Sequence, residues 1–170
     1  MLAVQVIGAV AAGGLVCAVF NQSNPQGLAD AYAGTPHLPV LREAVKHPER
    51  GVSAGDLLAG IALESAFTFL LTLAIFATIF DPRRPRLGGT VVGLALTASV
   101  LVGYNLTGAA LNPARWFGPA VWQRTLPSLQ AQPVFADHPV YWMGPIVGAL
   151  LAGIVYSGVI HPPETGERTP

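Results

Sequence analysis

Apolar residues run through the chain in four long blocks, residues 1–20, 57–80, 87–105 and 141–160, separated by stretches rich in proline, glycine and charge. A helix rises about 1.5 Å per residue, so crossing a hydrocarbon core about 30 Å thick takes about 20 mainly apolar residues. Each block meets that length closely, and the only charged side chain within them is Glu64. The pattern predicts four membrane-spanning helices in an all-α membrane fold. A fifth apolar segment, residues 111–122, is too short to cross. The first block also invites reading as a signal peptide, but no basic region precedes it and its apolar run exceeds the usual length of about 7 to 15 residues. A retained span is the better reading.

Residues 21–55 break the apolar pattern with Pro25, Pro36, Pro39 and Pro48 and carry Arg42, Lys46 and Arg50. They predict a long polar loop, with residues 40–47 as a candidate short surface helix. Residues 81–86, DPRRPR, place three arginines within four positions of a tight turn. Basic density beside spans points to the cytoplasmic side, which puts the long loop outside and the tail, residues 161–170, inside. Small residues recur every four positions, Gly89 and Gly93 in the third block and Gly144, Gly148 and Ala152 in the fourth. That spacing predicts close helix approach in lipid.

Composition sharpens the class. Of the 170 residues, 52% are hydrophobic and 11% charged, against roughly 25% charged in a soluble domain. Nine basic residues balance nine acidic ones, so the electrostatic footprint of a nucleic-acid binder is missing. Cys17 is the only cysteine, which excludes an internal disulfide and reads as a small hydrophobe in a helix. His37, His47, His138 and His161 form no helical i, i+4 pair, and no metal or other cofactor is expected. Asn21 and Asn105 begin glycosylation sequons, of which the second falls at membrane depth; neither is read as modified.

Candidate chemistry concentrates between the third and fourth blocks, in TGAALNPARWFGPAV, residues 107–121. Asparagine is a preferred helix N-cap and proline is favoured at the first helical position, so a short helix is expected from Asn112 and Pro113 to about residue 124. Pro119 is expected to interrupt it early and Pro127 to close it. Ahead of it, Gly108, Ala109 and Ala110 offer carbonyls that no helix pairs. Non-helical backbone at membrane depth survives only inside protein or along a wet cavity, so a helix starting there implies a water-lined path. Arg115 adds a full charge to the positive helix end, at an insertion cost of at least about 2.5 kcal/mol. Asn-Pro alone is a common turn, and an arginine can snorkel from a surface helix. The combination of cap, arginine, short helix and flanking spans favours a functional site.

The same segment resembles the second signature of the major intrinsic proteins, the aquaporins and glycerol facilitators. The resemblance extends through GIALESAFTFLLTLAIFAT, similar to the family's fourth span, DPRRPRLGG, its following loop, and HPVYWMGPIVGALLAGIVY, its sixth span; residues 1–20 then resemble the third span. It implies an aquaporin-like helical bundle in which two half-helices meet at mid-membrane. Asn112, Pro113 and Ala114 would form one signature, with Asn112 donating to a passing water. The positive helix ends are the known barrier to protons and cations in aquaporin-type pores. By the same resemblance Gly108, Ala109 and Ala110 would supply carbonyl acceptors, and Arg115 would be the filter's cationic donor. Glu64 would brace the re-entrant loop, the alternative being a plain helix–helix hydrogen bond. His138 matches a histidine common at the start of the sixth span and would share in supporting that loop, and it equally fits a solvated loop histidine. The family further implies a passive channel in a plasma or bacterial inner membrane, a homotetramer with a pore in each subunit, and no enzymatic role. Glu64 and Arg115 include no nucleophile–base pair that would support one.

Filter positions give mixed signals on the solute. Val100 stands where water-selective members usually carry histidine, and Ala109 offers a methyl group, a combination resembling the plant nodulin-like branch. Trp116 and Ala120 depart from the glycerol facilitators, and Tyr141 with Trp142 match the aromatic pair of water channels. The balance favours water, with a small uncharged solute such as glycerol as competitor. A complete member has six spans and two Asn-Pro-Ala signatures, whereas this sequence carries four spans and one signature. It is therefore expected to be a fragment of a longer channel, or to be completed by a partner. A non-conducting module that associates with full-length channels is the alternative of a different class.

Overall fold

A computed structural model describes residues 2–44, 51–81, 86–127 and 135–160. Helix α1 (Leu2–Ser23) is followed by short α2 (Pro25–Asp30), a tight turn at Tyr32–Gly34 and α3 (Pro39–Ala44). Helix α4 (Ala54–Ile75) continues through a widened turn, Phe76–Phe80, closed by the Asp81 N–H donating to the Phe76 carbonyl at 2.9 Å. Then come α5 (Gly88–Gly103), α6 (Pro113–Gln123) and α7 (His138–Val155), the last extended by a second widened turn, Tyr156–Ile160. The described residues contain no strand, and the fold is all-α.

Three helical runs, Ala3–Ser23, Ala54–Phe80 and His138–Ile160, are long and apolar enough to cross a membrane. Helix α5, at 16 residues, is shorter than the 87–105 block, because the chain turns at residues 104–107 to enter the loop before α6. Side chains such as Ile7, Leu58, Leu101 and Ile154 stand more than 60% exposed, a surface suited to lipid. With these helices, the chain is an integral, multi-pass membrane protein. Helix α4 begins at a capping box: the Ser53 hydroxyl accepts the Asp56 N–H at 3.2 Å, and the Asp56 carboxylate accepts the Ser53 N–H at 3.0 Å.

Two helix pairs carry the packing, α4 with α7 and α1 with α6. Both rest on glycines. A Cβ at Gly144 would lie 2.6 Å from that of Glu64, and one at Gly148 would collide with the Ser65 carbonyl. On the other pair, a Cβ at Gly118 would strike the Ala9 carbonyl, while Gly13 and Gly14 form a notch for the Trp122 ring, whose Nε1–H donates to the Val10 carbonyl at 2.8 Å. At Gly89 and Gly93 nothing among the described residues lies within 4 Å of a Cβ. Two expectations are corrected. Pro119 does not interrupt α6, which passes through it to Gln123. Nor is the 21–55 segment polar loop throughout: α1 runs into it as far as Ser23, α2 and α3 lie within it, and its Thr35, His37, Leu38 and Leu41 are buried. Residues 40–47 contribute to α3 as far as Ala44, and their remainder, like most of DPRRPR and the 161–170 tail, lies outside the described residues.

Candidate pore site

Helix α6 starts from an extended Asn112 (φ −154°, ψ 125°), whose Oδ1 accepts the Ala114 N–H at 2.9 Å, with Pro113 at the first helical position. With Oδ1 engaged, the Asn112 Nδ2 group finds no acceptor among the described residues and keeps both donors free.

The loop leading into this cap is organised by one carboxylate. Glu64 is fully buried, and its Oε1 accepts the Thr107 hydroxyl at 2.6 Å and the Ala110 N–H at 3.0 Å, while Oε2 accepts the Leu111 N–H at 2.8 Å. The Ala109 N–H donates to the Thr107 hydroxyl oxygen at 3.1 Å, and the Tyr141 hydroxyl donates to the Thr107 carbonyl at 2.7 Å. A trans peptide points its N–H and C=O in opposite directions. Three consecutive N–H groups aimed at Glu64 and Thr107 therefore aim the carbonyls of Gly108, Ala109 and Ala110 away from them, and none of the three accepts a hydrogen bond among the described residues. The backbone reaches this shape through left-handed conformations at Gly108 (φ 82°), Ala109 (φ 48°) and Leu111 (φ 53°). Glycine is required at 108 also for space, because a Cβ would lie 2.8 Å from the Pro36 Cα.

Arg115, in the first turn of α6, donates from a terminal nitrogen to the Gly34 carbonyl at 3.1 Å. Together with Gly108, Thr35, Arg42 and Tyr104 it lines a cavity of about 210 Å³. Three expected residues take other places. Val100 is 37% exposed on α5 and does not line this cavity; Tyr104, one turn further on, does. The Ala109 methyl is buried toward Gly103 and Phe67, so its carbonyl is what remains for a lumen. His138 sits exposed at the start of α7 with its Nδ1 2.8 Å from the Phe135 carbonyl, and it does not hold the loop. Tyr141, one helical turn deeper, does so, stacked on Trp116 at 5.6 Å and 11°.

A buried polar network that the sequence does not announce holds the other wall. Asp137 accepts the Leu38 N–H at 2.9 Å and lies 3.1 Å from His37 Nδ1, and Gln123 Nε2 contacts His37 Nε2 and donates to the Tyr32 carbonyl, both at 2.8 Å. With the Gln123 amide donating in both directions, the pattern assigns the Nδ1–H tautomer to His37, donating to Asp137 and accepting from Gln123. All three side chains are at most 1% exposed. They fasten the segment carrying Gly34 to the end of α6 and the start of α7. No local pattern links His37 to a carboxylate 100 positions away.

Comparison with known proteins bears on this arrangement. The family model described as Major intrinsic protein matches residues 1–156. Aquaporin TIP4-4 of Zea mays is 44% identical over 115 residues, 66% of this chain and 42% of that protein. Probable aquaporin TIP4-1 of Oryza sativa subsp. japonica is 38% identical over 112 residues, 65% of this chain and 41% of its own length. Aquaporin TIP3-2 of Zea mays is 36% identical over 166 residues, 95% of this chain and 50% of that protein. The chain thus spans about half the length, or somewhat less, of the curated relatives it matches.

Proposed function

The chain belongs to the major intrinsic protein family, and from that premise we propose that residues 104–124 form the selective side of a passive pore for water. The observation that carries this reading is the hold of Glu64, directly and through the Thr107 hydroxyl, on three successive peptides, which leaves the carbonyls of Gly108, Ala109 and Ala110 without donors among the described residues. Water entering a narrow passage loses hydrogen-bond partners. A run of carbonyl acceptors, with Asn112 Nδ2 and Arg115 as donors, replaces them. The positive end of α6 and the Arg115 charge oppose cations and protons along the same path. A lumen closed on all sides needs a second half-helix, from the same polypeptide or from a partner. The proposed setting is a plasma or bacterial inner membrane, with the protein as a homotetramer in which each subunit has its own pore.

A small uncharged solute such as glycerol is the second reading. It is favoured by the withdrawal of the Ala109 methyl into the protein and of Val100 from the cavity, so neither narrows the space before Arg115. The relatives described above are named as aquaporins of the TIP type, which supports water first. Vesicles reconstituted with the completed pore are expected to shrink faster under osmotic shock than empty vesicles. Equal rates would sink the channel reading and favour a non-conducting module, and a parallel glycerol gradient separates the two solutes.

A further inference from the structure

The cavity at Arg115 contains a second guanidinium that water conduction does not require. Arg42, from α3, lines the same space of about 210 Å³. Its Nε is buried without a hydrogen-bond partner, so hydrogen bonding by this group falls on its terminal nitrogens. Among the described residues no carboxylate pairs with Arg42 or Arg115, and no acidic side chain lines the cavity. Glu64 is engaged through both oxygens by the loop. Arg115 is held from one side by the Gly34 carbonyl, which fixes its direction and leaves further donors. The same wall carries the Thr35 hydroxyl, also buried and unpartnered, and Tyr104. Glu64 attracts Arg115 without bonding to it, so Arg42 and Arg115 present two unpaired guanidinium groups to one open cavity, and planar guanidinium groups match the oxygens of an oxyanion.

We propose that this cavity is a binding site for a small oxyanion of the phosphate type, free or as a lipid headgroup, held between Arg42 and Arg115. An occupant there would stand at Arg115 and obstruct the path proposed above. Binding itself does not depend on conduction, so it is tested without measuring flux.

The purified chain in neutral detergent micelles is treated with phenylglyoxal, and modification of Arg42 and Arg115 is followed by mass spectrometry. One arm contains inorganic phosphate, a second contains micelles doped with phosphatidic acid, and a third contains chloride at matched ionic strength. The expected result is slower modification of both arginines in at least one phosphate arm relative to chloride, by about tenfold at a concentration ten times Kd. Protection by free phosphate identifies a soluble ligand, and protection by phosphatidic acid alone identifies a headgroup. Arg42→Gln is expected to remove protection from Arg115, and Arg42→Lys to retain part of it. Equal rates in all three arms, or protection of Arg115 that survives Arg42→Gln unchanged, overturns the proposal while leaving the pore reading in place.

Discussion

A carboxylate taken out of water costs several kcal/mol unless hydrogen bonds and charge replace its hydration. Glu64 meets that demand with three donors, two of them backbone N–H groups of a loop that also holds Ala109 and Leu111 in left-handed conformations. Each such conformation costs a non-glycine residue roughly 1–2 kcal/mol, whereas a hydrogen bond to a charged group contributes about 1.5–3 kcal/mol. Three bonds therefore outweigh two strained residues, and the loop keeps its shape because of this side chain. Glu64→Gln retains the volume but offers one acceptor oxygen in place of two, which strands at least one buried donor. The expected loss is about 1–3 kcal/mol, read from unfolding of the purified protein in detergent. Unchanged stability would mean that another group holds the loop. At this scale the sequence was informative about cost and silent about partners. A charge inside an apolar block marks Glu64 at once, but only the family resemblance suggested what it grips. For His138 the sequence left loop support and a solvated position equally open, and the side chain stands exposed while Tyr141 bonds the Thr107 carbonyl.

Between elements, glycines set how closely helices lie. Gly118 against Ala9 and Gly148 against Ser65 leave no room for a methyl group, and in both cases the neighbour is backbone, which cannot turn aside. Gly118→Ala and Gly148→Ala are each expected to lower stability by about 1–3 kcal/mol through overpacking. Gly93→Ala is the control. With open space around it, the substitution should raise helix stability by about 0.5–1 kcal/mol. Loss of stability in all three variants would show that α5 is also tightly packed at Gly93. Helix positions were legible because hydropathy and cap chemistry are local, as with Asn112 and Pro113. The path of α6 through Pro119 was not. A proline inside a helix removes one donor and crowds the carbonyl four residues earlier, and the surroundings decide whether that cost is met. Close packing of Gly118 and Pro119 on Gly13 of α1 is information no stretch of local sequence contains.

Across the whole molecule, the segment after α1 reaches over the site and is fastened by His37, Gln123 and Asp137. Its prolines and charges suggested a long polar loop, because composition reports the absence of regular structure and does not report burial. Asp137→Ala would leave the His37 Nδ1–H and the Leu38 N–H buried without acceptors. A stranded buried donor costs about 1–3 kcal/mol, and 1.4 kcal/mol corresponds to a tenfold change in an opening equilibrium. Hydrogen exchange at Leu38 is therefore expected to speed up about tenfold or more, and unaltered exchange would show that the segment is held without this carboxylate. The spacing of that network also sets a timetable. His37 lies 86 positions before Gln123 and 100 before Asp137. At about 5–20 residues per second, a ribosome releases the two ends of this clasp about 5–20 s apart. During that interval the Gly34 carbonyl that Arg115 binds is not yet fixed in place, so this wall of the cavity assembles only after residue 137 has been made.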